Sequence, residues 1–364
     1  MPAPGGLSRV DLKRRDAVAM RAPEPPGGRQ SAAALRISPD AAASHWPNPP
    51  ADSPGEFASR VRGFGLELIQ IGRGRFTANG LQVQAGNALL SNVQFGPVVV
   101  QNWTAPMRST TIAVKTCNAG ALWGGFPLKS SDTLLIGPAA NVEVVSRPEF
   151  KFVAATFRQR DFQRVSESYG FEALIGESGT ILIRLPEFEA ANRLRGAIEA
   201  SLARALTHPS VQPTAEPEAR DNLLQLVVSI ASTGLRINPY DRHLERWRGV
   251  DHAVAAMRTQ PPDKLSSAEL RRAAGVSERA LRKGFVERFT LAPAGFLKAF
   301  RLNGARKDLR RLASPELRIT DIANKWGFRH LGQFAGDYRA WFGELPSQTL
   351  EQGIAGMAGI SHAR

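Results

Sequence analysis

The chain has 364 residues, a net charge of +14, 43% hydrophobic residues and one cysteine, Cys117. That length leaves room for two domains plus connecting material, and the hydrophobic share suffices for buried cores. A lone cysteine excludes an internal disulfide and any cysteine-rich zinc site; it fits a reducing, cytoplasmic setting with Cys117 as a small core residue. No apolar run is long enough for a transmembrane helix, and the basic N-terminus lacks the apolar core of a secretory signal. Residues 241–350 hold 21 Lys and Arg against 12 Asp and Glu. Charge gathered in one segment points to a polyanion such as DNA, although charge alone equally suits a solubilising surface.

Residues 1–56 are rich in Pro, Gly, Ala and Arg, as in HWPNPPADSPGE, and are expected to be a disordered tail. Its Lys13-Arg14-Arg15 cluster reads as a solvated charge run, and Met20 is a second candidate start. Residues 57–160 alternate short β-rich runs with turn signals. Strands are expected over 66–71, 88–95, 97–103, 110–114, 132–137, 141–145 and 150–157. Asn79-Gly80, Ala85-Gly86-Asn87 and Gly96-Pro97 read as the punctuation. Many short strands at this spacing suggest an all-β barrel or sandwich, whose mouth can hold a small ligand.

Residues 161–240 read as a helical linker. Phe188, Ala191, Leu194, Ile198, Leu202 and Leu206 recur at helical spacing, and 222–232 gives a second, very apolar helix. The two helices suit a dimer interface, or else packing on the β domain. Residues 241–351 are helical throughout, and 352–364 are expected to fray.

Within 241–351 lie two helix-turn-helix patterns, Ser266–Thr290 and Arg318–Glu344. One such pattern is a common chance match; two in one basic segment point to sequence-specific DNA binding. In the first, Leu270 and Ala273 face inward, Gly275 allows the turn and Ser277 caps the next helix. On that helix Leu281, Phe285 and Phe289 make the buried stripe, and Arg279, Arg282 and Lys283 lie off it. In the second, Ile319 and Ile322 are inward and Gly327 makes the turn. Leu331, Phe334, Tyr338 and Trp341 or Phe342 form the buried face, while Arg329, His330, Gly332 and Gln333 occupy the exposed start of the recognition helix. Arg can pair with guanine and Gln with adenine, which gives direct readout. His330 has no second ligand at i+3 or i+4, so a base or phosphate contact suits it better than a metal. Between the patterns, 296–312 reads as a long helix. Phe296, Phe300 or Leu302, Ala305, Leu309 and Leu312 face the cores; Arg306, Lys307, Arg310 and Arg311 point to phosphate or solvent. The candidate DNA-contacting set is Ser277, Arg279, Arg282, Lys283, Arg306, Arg329, His330, Gly332, Gln333 and Arg339.

These residues resemble the AraC/XylS family of bacterial transcription regulators over about 243–350. The resemblance rests on AAGVSERAL…F, on APAGFLKAFRLNGAR, and on Ile319, Ile322, Ala323, Gly327, Phe328, Phe334, Tyr338, Phe342, Gly343, Pro346 and Ser347. Gly284 departs from it, standing where a large apolar residue is usual. Gly332 and Gly336 sit in the second recognition helix, each costing roughly 1 kcal/mol of helix propensity. The resemblance implies an α+β protein: an N-terminal cupin-like β-barrel, a helical linker or dimerisation segment, and a C-terminal all-α domain with both units. It also implies an effector-responsive activator, a homodimer, contact with RNA polymerase, no enzymatic activity and no cofactor. No residue identifies the effector. Residues 57–160 hold no histidine, which argues against the alternative of a cupin-type metalloenzyme with a helical appendage. A second alternative is a nucleic-acid-binding protein without sequence preference. No phosphate loop, nucleophile elbow or paired acidic motif is present, and GRGRF (72–76) reads as a β-turn.

Overall fold

The computed structural model describes residues 50–171, 179–207, 217–237 and 244–361; the expected tail up to residue 49, with Lys13-Arg14-Arg15 and Met20, lies outside them. Two antiparallel sheets share one core. The first runs in the order β1 (Gly65–Gln70), β4 (Val99–Thr104), β9 (Asn141–Ser146), β6 (Ala121–Trp123), β7 (Phe126–Pro127). The second runs β12 (Leu235–Ile237), β11 (Thr180–Arg184), β8 (Asp132–Ile136), β5 (Ser109–Lys115), β10 (Phe150–Arg158), β3 (Ala88–Phe95), β2 (Ala78–Ala85).

The strands read as near-continuous apolar runs because most are covered on both faces. Neighbouring residues point to opposite faces of a sheet. Leu68, Val99 and Val144 enter the core between the sheets, whereas Ile69, Val100 and Val145 leave it for the helical domain. On the other sheet, Leu134 and Leu182 face inward and Leu135 and Ile183 face a helical layer. That layer is α2 (Gln159–Ser168), α3 (Phe188–Thr207) and α4 (Pro217–Ser232). Four layers result: helices, a seven-stranded sheet, a five-stranded sheet and the helical domain.

Several expectations are corrected. Asn79-Gly80 is not a turn: both residues lie inside β2, paired with Gln94 and Val93. The segment 161–240 is not purely helical, since β11 and β12 extend the second sheet beyond β8. The apolar face of α4, with Leu224, Val227 and Val228, packs on that sheet together with Leu194 and Ile198 of α3. Phe188, expected inward, is 57% exposed because it is the first residue of α3, beyond the stretch that crosses the sheet. Order begins before residue 57, with Ala51 bridged to Ala78 and α1 spanning Pro54–Arg60. The last helix continues past the expected fray point at 352.

The helical domain comprises α5 (Leu244–Thr259), α6 (Ser267–Ala274), α7 (Glu278–Phe289), α8 (Pro293–Arg311), α9 (Ile319–Lys325), α10 (Leu331–Phe342) and α11 (Pro346–Ser361). The central helix α8 touches α6, α7, α9, α11 and β1. Gly304 on α8 is where the Trp326 ring meets the helix: a Cβ there would stand 2.0 Å from the ring edge. Asp308 accepts from the indole and Phe300 packs edge-on, so the ring has little freedom to withdraw. Gly304→Ala gains about 1 kcal/mol of helix propensity. The overlap outweighs this, and the variant is expected to lose about 1–2 kcal/mol net. Gly336→Ala, with nothing within 4 Å, should instead gain up to about 1 kcal/mol. Thermal unfolding of the two variants checks the opposite signs.

Candidate nucleic-acid interface

The two units repeat each other in detail. Ser277 precedes α7, and His330 precedes α10, both in extended backbone; each helix has 12 residues and ends on a left-handed residue, Thr290 (φ 63°) or Gly343 (φ 75°). Counted from the helix start, the fourth, eighth and twelfth residues are buried in both: Leu281, Phe285 and Phe289, then Phe334, Tyr338 and Phe342. That i, i+4 stripe packs each helix against the domain core and turns the N-terminal positions outward. Ser277 Oγ accepts from the Ala280 amide at 3.2 Å, closing the first turn of α7. Gly275 (φ 64°) and Gly327 (φ 76°) make the two interhelical turns, in a region that L side chains avoid.

Arg279, Arg282 and Lys283 are exposed on α7, as are Arg329, His330, Gly332, Gln333 and Arg339 at or on α10. Lys283 leans on Glu287 at 3.9 Å; Arg279, Arg282, Arg329 and Arg339 have no ion pair among the described residues. Arg306 does not belong with them. It is 3% exposed, donates through Nε and Nη2 to Glu344 Oε1 at 3.1 and 2.8 Å, and lies over the Phe342 ring. Arg310 is half-buried, forked onto Asp52 at 2.7 and 3.0 Å. Helical periodicity assigned both outward because it assumes one buried face; α8 has several. Burial alone would raise the Asp52 carboxyl, but the Arg310 fork prevails and holds it at about 2.

Smaller corrections concern apolar positions. Ala274 rather than Ala273 is fully buried on α6, and Leu312, just past the end of α8, is exposed. Leu331, expected in the buried stripe, is 45% exposed as the first residue of α10. The repeat of the units would have revealed it, since its counterpart on α7 is the exposed Glu278. Gly332 and Gly336 meet nothing within 4 Å, so packing inside the chain does not require them.

Residues 270–352 match the model of a helix-turn-helix domain. The probable thc operon regulatory protein of Rhodococcus erythropolis is 40% identical over 98 residues, which is 27% of this chain and 30% of that protein. The XylDLEGF operon transcriptional activator 3 of Pseudomonas putida is 24% identical over 261 residues, 68% of this chain and 76% of that protein. The C-terminal domain is of the AraC/XylS type. Among solved structures, the AraC-like transcriptional activator CuxR is similar at a TM-score of 0.34 and 11% identity, covering 72% of this chain and 91% of that one. The chain thus spans under a third of the first relative's length, and the helix-turn-helix model match falls on the two units.

The AraC/XylS-type domain docks on the five-stranded sheet through the far ends of its two recognition helices. The eleventh residue of each makes the contact. Arg288 of α7 donates to both oxygens of Glu143 on β9 and also to Asp251 of α5. Burial would lower the Arg288 guanidinium; the two carboxylates overcome this and hold it above its ordinary value. Trp341 of α10 donates its indole N–H to the Gln70 carbonyl at 3.0 Å, and Asn303 exchanges two bonds with the Gln70 backbone. These bonds satisfy the outward backbone groups of β1 at Gln70, the end of that edge strand. Both recognition helices therefore keep their N-terminal ends open while their C-terminal ends are anchored.

Between the sheets lies a cavity with mostly apolar walls, including Val93, Trp103, Leu134, Val142, Phe150 and Phe152. Its polar lining includes Gln82, Ser91, Gln101, Thr111, Lys115 and Asp132. Among the described residues no group of His, Cys, Asp and Glu could hold a metal, and no helix is long and apolar enough to cross a membrane.

Proposed function

We propose that this protein is a sequence-specific DNA-binding transcriptional activator whose DNA affinity responds to a small molecule bound between the sheets. The observation that carries it is the repeat: two recognition helices in one basic domain, both with exposed N-terminal ends. The domain would set those helices into successive major-groove segments on one face of the duplex, roughly 10 bp apart. Arg279, Arg282, Lys283, Arg329, His330, Gln333 and Arg339 are the contacting residues in this reading, with Ser277 positioning α7 and Gly332 admitting close approach. Arg306 is withdrawn from the set because its guanidinium is buried against Glu344. Leu331 is added: an exposed apolar side chain at a recognition-helix start suits a thymine methyl group. Homodimerisation and contact with RNA polymerase come with the family resemblance. The names of the Rhodococcus and Pseudomonas relatives favour operon control.

A binding selection on randomised duplex DNA at near-physiological salt tests the reading. The expected result is an enriched motif in two blocks about 10 bp apart, with affinity falling steeply as salt rises. Binding that ignores sequence would instead favour a general nucleic-acid binder. On the selected duplex, Gln333→Ala is expected to cost about 1–3 kcal/mol and relax preference at one base pair of one block. Mobility-shift titrations against single-base variants measure this; unchanged preference would remove Gln333 from the readout.

A further inference from the structure

The lining of the cavity between the sheets is chemically lopsided. Gln101 is 1% exposed, and its Oε1 accepts from the Trp103 indole at 3.0 Å. An indole N–H only donates, so this bond settles which way the amide points. Gln101 Nε2 is then left without a partner. Lys115, also in the wall, is 9% exposed and makes one hydrogen bond, to the Ala119 carbonyl at 3.2 Å, although an ammonium has three N–H groups.

The nearby carboxylate does not answer this charge. Asp132 lies one residue beyond the β5–β8 pairing of Val114 with Thr133. Both of its oxygens are engaged elsewhere: Oδ1 by Arg184 Nε at 2.7 Å, Oδ2 by Arg184 Nη2 at 3.0 Å and by the Lys129 amide at 2.8 Å. Lys115, Asp132 and Arg184 together leave one surplus positive charge. Phe152 connects the two underused donors: it pairs with Lys115 in the β10–β5 register and meets the Trp103 ring edge-on at 5.9 Å.

A buried donor without a partner and a buried charge without a counter-charge are both costly. An apolar molecule would leave both unanswered. A neutral polar molecule would serve Gln101 and leave the ammonium uncompensated, and a cation would add to the surplus. A carboxylate is acceptor-only, with two oxygens, and answers both donors at once while an apolar body fills the rest. We infer that the cavity takes a small apolar carboxylic acid, its carboxylate held by Lys115 and Gln101. This rests on the reading that the cavity is the effector site.

The test uses the full chain and four probes: phenylacetate, octanoate, and the neutral amide of each. Binding is measured by titration calorimetry, with unfolding midpoints as a second readout. Each acid is expected to bind about 10- to 100-fold more tightly than its amide, the range of a hydrogen bond to a charged group. Lys115→Met keeps the aliphatic stem and should erase that preference while leaving amide affinity little changed. Its ligand-free unfolding midpoint should equal or exceed that of the unmodified chain. Gln101→Leu should weaken the acids less than Lys115→Met does. Amides that bind as well as acids, or an acid preference that survives Lys115→Met, would overturn the ligand class and leave the cavity a ligand site. If none of the four probes binds, the inference fails together with the effector reading. The two-block DNA motif is measured separately and stands or falls apart from either result.

Discussion

Replacing Arg288 by methionine is expected to destabilise the protein by about 3 kcal/mol and to loosen the helical domain from the sheets. The guanidinium satisfies Glu143 on β9 and Asp251 on α5, and both Arg288 and Glu143 are largely buried. Methionine fills the stem's volume, so the loss is mainly electrostatic: the Glu143 carboxylate stays in a poorly hydrated place with no cation. Removing one member of a buried pair costs more than the pair itself contributes. Glu143→Gln in the same chain should therefore recover part of the loss. Denaturant unfolding of the two single variants and the double variant measures the coupling, expected to exceed about 1 kcal/mol for groups in contact. Additive losses would mean that the bridge does not hold the domains. Faster proteolysis between the domains in Arg288→Met is the companion observation.

Phe285→Ala should have the other large effect, about 3–5 kcal/mol, because a fully buried ring is lost and the space cannot close. Phe285 meets Phe289 at 5.5 Å and Phe296 at 5.6 Å, so it joins α7 to α8 at the centre of the first unit. Phe285→Leu keeps much of the volume and should cost clearly less. If DNA binding depends on a folded first unit, Phe285→Ala loses affinity at temperatures where Phe285→Leu retains it. Circular dichroism melts together with mobility shifts separate unfolding from altered contact. A melt unchanged in Phe285→Ala would contradict the packing described for this unit.

The two recognition helices show what local sequence can reveal. Their caps, glycine turns and i, i+4 stripes are short-range features, and Leu281, Phe285, Phe289, Phe334, Tyr338 and Phe342 are buried as the spacing implies. Exposure of Arg279, Arg282 and Gln333 follows from the same periodicity. Seven strands were legible as β-rich runs for a related reason: residues covered on both faces are apolar throughout.

What periodicity does not carry is the identity of the second neighbour. Arg306 and Arg279 look alike in sequence, yet one is buried under Phe342 and Glu344 and the other is exposed. The difference arises only when the end of α10, Glu344 and the segment around Asp52 close over α8. Asn79-Gly80 has turn chemistry but sits in β2, because pairing with β3 outweighs a local preference worth little by itself. Neither β11 nor β12 announces that it completes a sheet begun by β8, since pairing partners are distant in the chain. The cavity is of the same kind. Gln101 and Lys115 are ordinary strand residues until two sheets face each other and leave an amide and an ammonium wanting partners. The two helix-turn-helix units can be read locally, because their geometry is helical and short-range. Long-range packing sets which basic residues stay exposed, how the domain is docked, and the charge inside the cavity, because burial and electrostatics depend on what the rest of the chain brings alongside.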